Sequence, residues 1–167
     1  MYRNLTLTAF LSVLILLSGS LKIPSPVAGG EFQLSAPVAV LICACFGFKR
    51  YLTAGIIASL LGLMLGTATI FNVMVAMVFR LVAGAVIAVG NASLPAVIIS
   101  GPLGTLAARM VIGAVLDVNW LLLATAAMPG MIFTAVTAGI LYPLSKKLIC
   151  SQPVLRSYFD RQRSNQE

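Results

Sequence analysis

Histidine is absent from the 167 residues, and aspartate plus glutamate number only four. The commonest general base and metal ligand is therefore missing. The acids at positions 31, 117, 160 and 167 are too scattered for a paired-carboxylate site, and no Ser-His constellation can exist. Nor does the chain contain a G-x-x-x-x-G-K-S/T loop to cradle ATP phosphates. Cysteine occurs three times, at Cys43, Cys45 and Cys150. Cys43 and Cys45 are spaced C-x-C inside an apolar run rather than as a C-x-x-C redox pair, so they read as small apolar fillers or free thiols. These absences leave no catalytic residue, no metal and no cofactor of the chain's own to expect, and they favour a transporter or binding subunit over an enzyme.

Charge as a whole is sparse, at 9%, whereas 60% of the residues are hydrophobic and the mean hydropathy is +1.04. Soluble domains carry about 25% charged residues, so the outside of this chain must be solvated by lipid. The apolar runs cover about 5–21, 32–48, 51–66, 73–90, 95–116 and 121–144. They are continuous rather than alternating, which excludes an outer-membrane barrel and leaves helices to satisfy the backbone. The expectation is an all-α integral membrane protein, a bundle of six transmembrane helices over residues 1–148, followed by a basic cytoplasmic tail at 149–167.

With both termini in the cytoplasm, Arg3, Lys49, Arg50, Lys146, Lys147, Arg156, Arg161 and Arg163 fall inside and only Lys22 falls outside. This matches the positive-inside rule and places the chain in the plasma membrane. The formal charge of +7 is thereby explained by topology, not by nucleic acid. An alternative for the start is a cleaved signal peptide, with Arg3 ahead of the apolar stretch and Ser18 and Ser20 near its end.

Two charges interrupt the apolar runs. Arg80 and Arg109 stand in the fourth and fifth, and charge at that depth usually faces the bundle interior. Arg80 is expected roughly 10–15 Å below the outer surface and Arg109 about 10 Å below it, counting about 1.5 Å per residue. Two guanidiniums in one outward-facing pocket suit a ligand carboxylate or phosphate; the alternatives are snorkelling for Arg109 and a backbone or subunit contact for Arg80. Glu31, Gln33, Asn72, Asn119 and Trp120 cluster near the same end and complete the candidate substrate site. Asn72 and Asn119 also suit helix caps, and Trp120 the membrane interface. The loop from Lys22 to Glu31, with Pro24, Pro26, Gly29 and Gly30, reads as a lid. Gly101 and Pro102 read as a kink or break in the fifth helix, and Pro129-Gly130 as a second. Ala54, Ala58, Gly62 and Gly66 recur every fourth residue, a seam for packing within the chain or against another subunit.

Several of these segments resemble a known family. Gly29-Gly30 leading into residues 31–37, the basic turn at 48–55, the stretch from Asn72 to Arg80, and the Gly101-Pro102-x-Gly104 element are similar to substrate-binding S components of energy-coupling factor transporters, and most to the tryptophan type. An A-x-x-x-A pattern on the first helix is not matched, since Leu5 and Val13 flank Ala9 at that spacing. The resemblance implies capture of a small nutrient, a vitamin or amino acid of anionic or zwitterionic character. It also implies a transmembrane coupling subunit and two cytoplasmic ATPase subunits that bind the ATP. The alternatives are a self-sufficient oligomeric transporter and a membrane scaffold without a ligand.

Overall fold

A computed structural model of the chain describes residues 2–24 and 31–151. Six helices are present: α1 (Tyr2–Ser20), α2 (Ser35–Phe46), α3 (Phe48–Met64), α4 (Ile70–Val89), α5 (Leu94–Leu116) and α6 (Trp120–Ser151). The all-helical expectation needs one correction. Strands β1 (Lys22–Pro24) and β2 (Glu31–Gln33) pair antiparallel between α1 and α2, with Ile23 opposite Phe32. The ends of the loop expected as a lid thus form a short hairpin, and β2 packs against α6 and α1. Pro26, Gly29 and Gly30 lie outside the described residues, as does the tail beyond Ser151.

Helix α2 is the axis of the molecule. It touches α1, α3, α4, α5 and α6, which follow one another around it in that order. Its 12 residues span about 18 Å, less than the ~30 Å hydrocarbon core, and its Pro37, Ala39, Val40, Ile42, Cys43, Ala44 and Cys45 are all buried. Small side chains on this helix let five neighbours approach it, which accounts for the burial of Cys43 and Cys45. Gly47 alone joins α2 to α3, with φ +86°, a conformation that favours glycine. Lys49 and Arg50 therefore sit in the first turn of α3, not in the connection between the two apolar runs.

Three helices are long and apolar enough to cross a membrane: Ile70–Val89, Leu94–Leu116 and Trp120–Leu148. They carry Leu, Ile, Val and Met on their outer faces, with Val89, Ile70, Leu122 and Ile140 among the most exposed. So large an apolar exterior is stable against lipid and not against water, and the chain is a helical membrane protein. The other three of the six spans expected, α1 with 19 residues, α2 with 12 and α3 with 17, do not meet that measure among the described residues. For α2 the reason is its place, because a helix ringed by protein needs no lipid-matched length.

Helix α5 does not break at Gly101 and Pro102; helix runs through both. A Cβ at position 101 would stand 2.5 Å from Thr134 Cγ2, so the glycine is there to bring α5 onto α6. Pro129 likewise lies inside an uninterrupted α6. The small-residue seam also resolves. Ala54, Ala58 and Gly62 are buried within the chain, where α1 packs on α3, and a Cβ at Gly62 would meet Leu16 Cδ1 at 3.5 Å. Gly66 is not on the seam. It follows the end of α3 with φ +68°, while Thr67 and Ala68 donate back to the Gly62 carbonyl at 3.0 and 3.1 Å.

Candidate functional site

Thr69 caps α4 by accepting from the Asn72 amide at 3.3 Å, so Asn72 lies on the first turn and is exposed rather than capping. Ten residues beyond Ile70, about 15 Å along the axis, Arg80 turns inward and is 7% exposed. Its Nη1 donates to Ser59 Oγ on α3 at 2.6 Å and approaches Met77 Sδ at 3.5 Å. Its stem crosses α3 at Gly55, where a Cβ would stand 2.6 Å from both Cδ and Nε. Tyr51, one turn earlier on α3, is fully buried and its hydroxyl has no hydrogen-bond partner. Tyr51, Gly55 and Ser59 therefore form an i, i+4, i+8 stripe facing Gly84 and Arg80 of the antiparallel α4.

This is a cation held at mid-helix depth with one hydroxyl and one thioether as its hydrogen-bond partners among the described residues. A guanidinium has five N–H donors, and among the described residues no carboxylate pairs with it. Asp117, the one acid whose side chain is described, is exposed at the far end of α5. A charge so placed leaves much of its solvation unreplaced, which is the condition a bound anion relieves.

Arg109 is half-buried on α5, and its Nε is buried without a partner. Helices α4 and α5 are antiparallel neighbours, and Gly104 sits against Phe79 and Ala83. That register brings Arg109 within about 6 Å of Arg80 in depth. No hydrogen bond joins the two arginines, and Arg80 points to α3. Asn119 caps α6, its Oδ1 accepting from the Leu121 amide at 3.0 Å, and Trp120 is 41% exposed beside it. Glu31, Gln33 and Pro24 lie in the hairpin.

The sequence reasoning passed over Tyr51, Gly55 and Ser59. A tyrosine and a serine eight residues apart on an apolar helix, with a glycine midway, are a legible polar stripe, but nothing in the sequence pairs them with Arg80. A cavity of about 440 Å³ was also missed. It lies at the other end of α4, between the α2–α3 junction, the α4–α5 turn and α6.

No family model matches the chain, and no solved structure matches it. Among curated proteins it is 45% identical over 145 residues to Protein BioX of Lysinibacillus sphaericus, covering 87% of this chain and 86% of that one. The expected kinship with tryptophan-type S components is corrected by this match, which runs through nearly the whole length of both chains. The earlier resemblance rested on short Gly-Gly, basic-turn and Gly-Pro segments, which small membrane bundles use for packing and topology whatever they carry. At that identity and coverage, the chain belongs to the BioX family.

Proposed function

We propose that the protein is the substrate-capture subunit, or S component, of an energy-coupling factor uptake system, and that it takes up a small vitamin bearing a carboxylate. Membership of the BioX family and the lipid-facing helical exterior support membrane uptake. The observation that carries the substrate class is Arg80, buried and without a carboxylate partner among the described residues, beside the unpartnered hydroxyl of Tyr51. A substrate carboxylate accepts from the guanidinium, Ser59 holds the guanidinium in place, and Tyr51 supplies one further donor. The hairpin closes over the outer end, and both termini stand in the cytoplasm. Coupling and ATPase subunits supply the energy, since this chain has no phosphate-binding loop.

The test is binding to the purified full chain in lipid nanodiscs, by calorimetry and thermal shift, with biotin as the first carboxylated vitamin and its amide as the neutral control. Biotin raises the melting temperature, the amide does not, and Arg80→Ala weakens binding about tenfold or more, the scale of a lost charge-assisted pair. Equal binding of acid and amide, or wild-type affinity in Arg80→Ala, overturns the anion reading. Recovery of ATPase subunits with the tagged chain from its own host tests the partnership. A ligand-binding chain that never recovers them is a self-sufficient carrier instead.

A further inference from the structure

The cavity at the basic end of the bundle has a chemistry unlike that of Arg80. Its walls are Phe48, Ile87 and Leu94 on the apolar side, and Asn91, Ser93 and Lys146 on the polar side. Its volume, about 440 Å³, far exceeds the share of a trapped water, about 30 Å³. Lys146 reaches it from α6, and Lys49, Arg50 and Lys147 stand at the same end of the molecule.

We propose that this cavity binds the headgroup of an anionic phospholipid from the surrounding leaflet, with Lys146 as the charge partner of the phosphate. The mixed lining selects a lipid over a free ion, since Phe48, Ile87 and Leu94 offer an apolar wall to the glycerol and upper acyl carbons while the phosphate meets Lys146 and Asn91. The backbone adds to this. Helices α3 and α5 both begin on the cavity, at Gly47 and Ser93, and neither start is capped by a side chain. Their amides and dipoles favour a negative group there. The site joins α2, α3, α4, α5 and α6 at one place, so a bound lipid ties the bundle together. It is independent of the substrate reading at Arg80.

The experiment is native mass spectrometry of the full chain, released from nanodiscs of phosphatidylglycerol and phosphatidylcholine mixed equally, together with melting temperatures in each pure lipid. The wild type retains one phosphatidylglycerol in preference to phosphatidylcholine and melts higher in the anionic lipid. Lys146→Gln loses about fivefold of that preference, the effect of one basic residue near an anionic surface. Lys147→Gln, one residue on and not on the cavity wall, keeps it. Both substitutions are at exposed positions, and a melting curve in phosphatidylcholine verifies that each variant is folded. An equal loss in both variants means a diffuse surface effect and overturns the site. So does an unchanged preference in Lys146→Gln. Displacement of the lipid by millimolar inorganic phosphate, with the same melting shift produced by phosphate alone, assigns the cavity to a free anion and overturns the lipid reading.

Discussion

At the scale of single residues, Arg80 and the α3 stripe make separable predictions. Ser59→Ala removes the acceptor of a bond to a buried charge, so it costs about 1.5–3 kcal/mol of stability. That loss is read as a lower melting temperature of the purified protein. Tyr51→Phe goes the other way. Its hydroxyl is buried with no partner, so removing it leaves the ligand-free protein as stable or up to about 1 kcal/mol more stable, while carboxylate affinity falls. A melting temperature lowered by Tyr51→Phe would mean that the hydroxyl is satisfied within the apo protein. Arginine at position 80 and glycine at 55 are one decision, because any Cβ at 55 occupies the space of the arginine stem.

At the scale of elements, the two glycines of the helix-breaking segments part company. Position 101 has Thr134 Cγ2 at 2.5 Å from where a Cβ would be, whereas position 130 has nothing within 4 Å. Gly101→Ala therefore forces α5 away from α6 and costs about 1–3 kcal/mol. Gly130→Ala lowers the entropy of the unfolded chain at a helical position and gains about 0.5–1 kcal/mol. Unfolding in mixed micelles, compared between the two variants, checks the pair. Opposite signs are expected, and equal signs would refute the assignment of Gly101 as the α5–α6 contact. The same distinction was hidden in the sequence, where Gly101-Pro102 and Pro129-Gly130 look alike. Only the neighbouring helix tells them apart.

At the scale of the whole molecule, orientation in the membrane is read by labelling from the two sides. A cysteine introduced at Lys147 in a chain freed of native cysteines is labelled by a membrane-impermeant maleimide only from the cytoplasmic side. One introduced at Val118, in the turn before α6, is labelled only from outside. The reverse pattern would invert the topology and put the hairpin and the outward end of Arg80's half on the cytoplasmic face. Cys43 and Cys45 stay unlabelled in the native protein from either side, as both are buried on the central helix.

Composition alone determined that this is a helical membrane protein. With 60% hydrophobic residues, few charges and continuous apolar runs, helices in lipid are the arrangement that satisfies the backbone. The positions of Arg80 and Arg109 inside apolar runs were likewise visible, because a charge in such a run stands out against everything around it. Tertiary structure decided what those residues meet. Helix α2 became the axis because its small residues admit five neighbours, and a window of hydropathy cannot tell burial in protein from burial in lipid. The hairpin at 22–24 and 31–33 escaped for a related reason: three-residue strands carry too little periodicity to register. Arg80 chose Ser59 through the antiparallel register of α3 and α4, 21 residues apart in sequence. The cavity at the basic end exists only where two helix starts and the far end of α6 converge. Contacts of that kind are set by packing, and sequence spacing does not encode them.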